Sequence, residues 1–299
     1  MRSPLRFPEE VPLSRTTSFM PFDQQGVRIA LAKLHRHLTK LGKKPAPKSV
    51  HRFRTYSRRI EALVGELVAK PTRNQKKVLQ LLARLRKKAG RVRDLDVQVA
   101  ALRSLKIPQE PERKARLMRT LLEERARSER KLRKAFGKET VDELRRRLKR
   151  MAKSTEIPAG IDPVAKALQL FAEAGKDHGA ITESRLHEYR TIGKRARYVA
   201  ELAGGEDAAA NRVTDHLKQM QDAIGDWHDW LKLTQQARDL FGTVQESPLV
   251  AALQNLTRAK FRHALDAVAR TQAALIPRPA AAESARVPLA HLAQVSTAA

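Results

Sequence analysis

The sequence predicts an all-α protein made by tandem duplication: two helical bundles related by a pseudo-two-fold axis around a basic central cleft. Three observations predict it. Apolar residues recur with a helical period from Val27 onward, and no segment reads as a strand. The stretch His51-Arg52-Phe53-Arg54-Thr55-Tyr56-Ser57-Arg58-Arg59-Ile60 returns as His187-Glu188-Tyr189-Arg190-Thr191-Ile192-Gly193-Lys194-Arg195-Ala196-Arg197. A Gly-x-x-[Arg/His]-Asp site occurs at Gly90 to Asp94 and again at Gly225 to Asp229. The first pair is offset by 136 residues and the second by 135, a drift of one residue that a loop deletion explains.

The elements follow in order. Residues 1–24 hold Pro4, Pro8, Pro12 and Pro21 without a helical period and read as an irregular arm. The first helix carries Val27, Leu31, Leu34, Leu38 and Leu41 on one stripe and Lys33, Arg36 and Lys40 on another; Gly42, Pro45 and Pro47 end it. The first His helix runs over 50–69 and stops before Pro71. A third helix turns Val78, Leu81, Leu82, Leu85 and Ala89 inward and is expected to stop at Gly90 as a glycine cap. A further helix then opens at Arg91 and runs to Leu105, before Pro108 and Pro111. Residues 112–136 form a long basic helix packed through Leu117, Leu121, Leu132 and Ala135, with Arg127 and Arg130 on another side. After Gly137 a short helix covers 139–152.

Pro158, Gly160 and Pro163 mark the boundary between repeats. Helices are then expected over 164–178, 184–203 (ended by Gly204-Gly205), 207–224 and 248–274. Arg258, Lys260 and His263 of the last answer Arg125, Arg127 and Arg130 of the first half. The domain thus spans 25–276, with repeats at 25–153 and 161–276, and an Ala- and Pro-rich tail over 277–299.

Composition narrows the partners. The chain has 299 residues and 60 Lys+Arg against 32 Asp+Glu, a formal charge of +28. Such a charge repels itself unless polyanions are near, which points to nucleic acid, polyphosphate or an anionic surface. Aromatics are only 4%, too few for single-strand binding by base stacking. There is no cysteine, so disulfides and thiolate-bound metals are excluded, and the cytoplasm is the expected compartment. No apolar run approaches the ~20 residues of a membrane span.

The chemistry sits on the repeated helix. Wound at about 100° per residue, positions 0, +3 and +7 fall within roughly 60° of one another. His51, Arg54 and Arg58 form one basic stripe, and His187, Arg190 and Lys194 the other, joined by Arg197. Arg59 and Arg195 complete the basic pairs. Phe53, Tyr56, Ile60 and Leu63 lie opposite, as do Tyr189, Ile192, Ala196 and Val199. A single such stripe is ordinarily a solvated face. Two at equivalent positions, if they face each other, converge on one cleft that only an anion makes tolerable. Arg forks suit phosphate oxygens, Lys supplies point charge, and a His among cations is a conditional cation. Lys33, Arg36, Arg127 and Arg130 are weaker candidates.

His51 and His187 could meet as metal ligands, but Arg54 and Arg190 are a poor setting for a dication. Asp94, Asp96, Asp226 and Asp229 are read as helix-start carboxylates that cap free N–H groups; Asp94 and Asp229 also stand to pair with the arginines of the His helices. Asp94, Asp229, Gly90 and Gly225 are thus structural. Trp227 and Trp230 read as packing residues. No phosphate loop, catalytic triad or nucleophile is identifiable, so neither an enzyme nor a cofactor is expected.

These residues resemble the CHAD domain, the conserved histidine α-helical domain. Its hallmark is His-x-x-Arg-x-x-x-[Lys/Arg]-Arg on a helix in each of two repeats, each followed by Leu-Gly-x-x-[Arg/His]-Asp-Leu. The chain has Ala89-Gly90-Arg91-Val92-Arg93-Asp94-Leu95 and Ile224-Gly225-Asp226-Trp227-His228-Asp229-Trp230 at the second motif, departing from the pattern before the glycine in both copies and after the aspartate in the second. The resemblance covers about 25 to 275. It implies two four-helix bundles with a basic channel that binds inorganic polyphosphate without catalysis, and in some members association with polyphosphate granules. The competing expectation is a general nucleic-acid-binding helical protein; a third is a phosphohydrolase using Asp94 or Asp229. Neither chain-length preference nor oligomeric state is legible.

Overall fold

The computed structural model describes residues 24–43, 46–158, 160–175, 181–203 and 207–276. The expected N-terminal arm, C-terminal tail and Gly204-Gly205 stop lie outside them. Among the described residues there are nine helices and no strand: α1 Gln24–Lys43, α2 Pro47–Leu67, α3 Arg73–Ser104, α4 Pro111–Ala135, α5 Lys138–Ser154, α6 Pro163–Ala174, α7 Glu183–Ala200, α8 Ala208–Phe241 and α9 Pro248–Leu275.

Local chemistry sets the helix starts. Thr72 and Gln75 form a reciprocal capping box at α3. Asp162, Thr182, Asp207 and Ser247 each accept from backbone N–H groups at the start of α6, α7, α8 and α9. Proline at the first turn of α2, α4, α6 and α9 costs nothing, because the N–H it lacks would be unpaired there.

The equivalence of the halves appears in which residues are buried. Val50, Phe53, Ile60, Leu63 and Val64 of α2 are buried, as are Leu186, Tyr189, Ala196, Val199 and Ala200 of α7, each 136 positions on. At an offset of 135, Val78, Leu82, Leu85, Ala89 and Val92 of α3 match buried Val213, Leu217, Met220, Ile224 and Trp227 of α8. Leu117, Leu121 and Leu132 of α4 match Leu253, Thr257 and Val268 of α9, an offset of 136 that sets Arg125, Arg127 and Arg130 against Phe261, His263 and Asp266 and corrects the expected match to Arg258, Lys260 and His263. The apolar side chains form two clusters, and each draws on both halves. One contains Leu34, Phe53, Phe171 and Tyr189; the other contains Leu95, Leu121, Leu233 and Leu253. Trp227 is buried edge-on to Phe261, and Trp230 packs on the second cluster, in keeping with their reading as packing residues.

The expected stops at Gly90 and before Gly225 are overturned. Each glycine lies inside one long helix, α3 or α8. Asp94, Asp96, Asp226 and Asp229 are therefore mid-helix residues rather than helix-start caps. Magnitudes explain the continuity. A helical glycine costs about 1 kcal/mol relative to alanine. Continuing α3 buries Val92, Leu95, Val99 and Leu102, each contributing about 1.5–3 kcal/mol when fully removed from water. The apolar period outweighs the glycine.

Gly225 is a useful test, because a Cβ built there meets nothing within 4 Å and its φ is not positive. Gly225→Ala is expected to stabilise the protein by about 0.5–1 kcal/mol. Denaturant midpoints at equal slope measure it; a destabilised variant would show that a side chain is not tolerated at this position.

Candidate functional site

Helices α2 and α7 pack against each other and carry the two His motifs. Their contact is reciprocal. Arg59 of α2 donates to Glu201, just past α7, at 2.6 Å, and Arg195 of α7 donates through Nε to Glu66 of α2 at 2.9 Å. Arg59 and Arg195 are 136 residues apart, and Glu66 and Glu201 are 135 apart. The equivalent arginines of the two halves thus each bridge to a glutamate of the other half, the two glutamates standing one residue out of the helices' 136-residue register. Arg197 also reaches Glu201, at 3.4 Å.

Between these bridges lie cations that are not paired this way. Among the described residues, Arg54, Arg58, Arg190 and Lys194 form no ion pair with a carboxylate. A cavity of about 490 Å³ is lined by Arg58, Glu61 and Glu66 from α2 and by Arg190, Lys194 and Arg195 from α7. A second cavity, of about 650 Å³, takes in Arg54, Arg58, Gly90, Asp94 and Arg127. Arg58 lines both. Arg58 of one stripe and Arg190 and Lys194 of the other thus line one cavity, while His51 and His187 line neither.

The crowding is visible in the acid–base chemistry. Burial pushes the Lys194 ammonium down to about 6, helped by Arg190, Arg58, Arg54 and Arg197. Burial also lowers the guanidinium of Arg54, opposed by Asp94, and that of Arg190, opposed by Asp229 and Asp94. The His51 imidazole is lowered by the partial burial of its ring, on a residue otherwise exposed, and then by Arg93, Arg54 and Arg197. Arg54 Nη1 and Arg190 Nε are buried donors without an acceptor. Donors left in this state carry a desolvation cost that an incoming anion relieves.

Glycine 90 has a specific task here. A Cβ on it would stand 2.5 Å from Arg54 Nη1, so the bare backbone of α3 is what lets the Arg54 guanidinium lie against it. Asp94 is one turn further along α3, on the same face, and supplies the counter-charge. Asp94 is also 3.6 Å from Lys232, and Asp229 is 3.8 Å from His228.

The remaining candidates fall in different places. His51 and His187 are exposed at the start of the basic stripes. Arg59, Arg195 and Arg197 are engaged by carboxylates. Lys33 and Arg36 are exposed on α1 and line neither cavity, and nor does Arg130. Sequence reasoning missed Lys87, Lys88, Lys131 and Lys232, which line the larger cavity, and Arg93, which acts on His51 and Arg54. The four lysines stand outside the repeated motifs, and only a repeat-against-repeat comparison of the flanking helices would have found them; Arg93 is the [Arg/His] position of the Gly–Asp motif, answered by His228. Among the described residues no three His, Asp or Glu side chains are close enough to hold a metal.

Fold and site define a class: a duplicated all-α protein whose repeats meet across a cationic cleft. The chain belongs to the CHAD domain family, whose model matches residues 25–238. It shares its fold with PptA from Streptomyces chartreusis, at 17% identity and a TM-score of 0.61, over 86% of this chain and 99% of that one. The CHAD domain from the plant Ricinus communis is similar at 16% identity and a TM-score of 0.60, over 91% and 99%. No curated protein matches the chain. No helix among the described residues is long and apolar enough to cross a membrane.

Lys194 makes the cleft's cost measurable. Its folded value lies below the ordinary lysine value of 10.5, so the unfolded chain binds more protons between about pH 6 and 10.5. Its contribution to stability therefore rises with pH across that window. Lys194→Met is expected to gain stability over the parent, by more at pH 6 than at pH 9. Urea midpoints at both values check this, and an equal gain at both would contradict it.

Proposed function

We propose that the protein binds inorganic polyphosphate without catalysis, through the cleft between α2 and α7. The observation that carries the reading is the set Arg54, Arg58, Arg190 and Lys194: four basic side chains from both repeats, none in an ion pair among the described residues, while neighbouring Arg59 and Arg195 are bridged. Membership of a family known for polyphosphate binding supports it. Each arginine fork donates to two phosphate oxygens, and a linear polyphosphate brings a negative charge at every repeat. The polymer would bind by replacing counterions along that charge. It would also raise the Lys194 value, so that Lys194 becomes charged as the ligand enters. His51, His187 and Arg197 stand at the edges of the same surface. The reading extends to association with polyphosphate granules, where this polymer is dense. Asp94 and Asp229 act in it as counter-charges for Arg54 and Arg190, not as catalytic carboxylates.

The test is a gel-shift salt series with long-chain polyphosphate and with duplex DNA of equal charge as competitor. Polyphosphate is expected to stay bound at salt that releases DNA. Arg54→Ala/Arg58→Ala and Arg190→Ala/Lys194→Ala are each expected to weaken binding about 100-fold with helicity intact, from about 1.5 kcal/mol per charged hydrogen bond lost. Equal displacement by DNA would favour a general nucleic-acid binder, and unchanged binding in both double variants would remove the cleft from the account.

A finer probe is Gly90→Ala. The added methyl must displace the Arg54 guanidinium, while alanine improves the helix. Polyphosphate affinity is expected to fall several-fold without loss of thermal stability. A variant that binds as tightly as the parent would show that Arg54's resting position is immaterial.

A further inference from the structure

The larger cavity runs out of the cleft along the groove between α3 and α4. From Arg54 and Arg58 it continues to Lys87 and Lys88 on α3 and to Arg127 and Lys131 on α4. Its lining holds nine basic side chains and two carboxylates, Asp94 and Glu124. Lys87, Lys88, Arg127 and Lys131 are exposed, and none has a carboxylate partner among the described residues. Arg91 is bridged to Glu124 across the groove.

A third cavity, of about 620 Å³, lies between α8 and α9. It is the same groove in the second repeat. Adding 135 on α3 and 136 on α4 converts Lys87 to Asp222, Lys88 to Ala223, Arg91 to Asp226, Arg127 to His263 and Lys131 to Ala267. All five second-repeat residues line that cavity. Even the bridge is preserved with its polarity exchanged: Arg91–Glu124 becomes Asp226–Lys260, at 2.8 Å. The two grooves are of similar volume, yet the second holds two carboxylates, two histidines and the single cation Arg270. Ala223 and Ala267 are buried where Lys88 and Lys131 are exposed.

Resting on the polyphosphate reading, we propose that the polyanion leaves the cleft on one side only. A long chain continues along the α3–α4 groove, and the equivalent α8–α9 groove is closed to it by charge reversal. Short chains fill the cleft alone; only long ones reach Lys87, Lys88, Arg127 and Lys131. A polyanion entering the second groove would instead meet Asp222 and Asp226. The groove's place between the two helices was kept through the duplication and its charge was not, and the α8–α9 cavity does not take in Arg190 or Lys194, so the scaffold carries one binding direction.

The experiment compares tripolyphosphate with a long-chain polyphosphate by titration calorimetry on the full chain. Lys87→Ala/Lys131→Ala is expected to weaken the long chain about tenfold at low salt, as two exposed charge contacts would, and to leave tripolyphosphate unchanged. Lys76→Ala/Lys77→Ala removes the same charge from exposed positions on α3 outside every cavity described above, and is expected to have little effect. Asp222→Lys/His263→Arg rebuilds the first groove's charges in the second and is expected to tighten long-chain binding several-fold. Equal losses in the Lys87 and Lys76 pairs, or equal losses for both ligands, would overturn the proposal. Arg54→Ala/Arg58→Ala, run in parallel, separates the two readings. If it loses both ligands while the Lys87 pair loses neither, the groove fails and the cleft stands; if neither variant loses binding, both fail.

Discussion

The structure depends on bringing two like-charged helices into contact. The faces of α2 and α7 that carry Arg54, Arg58, Arg190 and Lys194 would separate if charge alone decided. The reciprocal bridges Arg59–Glu201 and Arg195–Glu66 set the register, but partly exposed ion pairs are worth about 1 kcal/mol or less each. The cohesion comes from the opposite sides of the same helices. Phe53, Ile60 and Leu63 of α2, and Tyr189, Ala196 and Val199 of α7, belong to one apolar cluster shared by the two halves. Several such side chains, at about 1.5–3 kcal/mol for each large one, outweigh the repulsion. The shared core is what holds the two cationic faces together.

The two sequence motifs are parts of one device. The His helix supplies an arginine at its fourth position, and the Gly–Asp motif supplies its seat. Gly90 opens a gap on α3 for the Arg54 guanidinium, and Asp94, on the same face one turn later, stands as its counter-charge. This explains why glycine precedes aspartate by four residues: four is the spacing that stacks two positions on one helix face. The second copy retains the charge relation, with Asp229 acting on Arg190, but not the tight approach, since Gly225 faces open space.

Much of this was legible in the chain. The helical period gave the elements, and the 136-residue offset gave the convergence of the two ladders. The misreading at Gly90 and Gly225 has a clear origin. Glycine was weighed as a terminator, while the apolar phase ran on through Ala89, Val92, Leu95 and Val99 without a break. The partners of Arg59 and Arg195 were not legible, because they lie 142 and 129 residues away and no local spacing encodes them. The groove lysines were hidden for a different reason. They carry no motif, and their meaning appears only when Lys87 is set against Asp222 and Arg91 against Asp226.

One substitution between the repeats occurs within the ladder itself, where Arg58 of the first is Lys194 of the second. The two cations are not interchangeable. A guanidinium keeps its charge at any pH a protein meets, whereas an ammonium sheds its proton when burial and neighbours make the charge too costly. Arg58 lines both cavities and Lys194 the smaller one; Lys194 stands among Arg54, Arg58, Arg190 and Arg197 and is pushed down to about 6, by burial first. A second arginine there would add a permanent charge to the most crowded point of the empty cleft. On the polyphosphate reading, an arriving anion would favour the Lys194 charge that burial and its neighbours suppress. On that reading the cleft would present its full charge only to a bound polyanion.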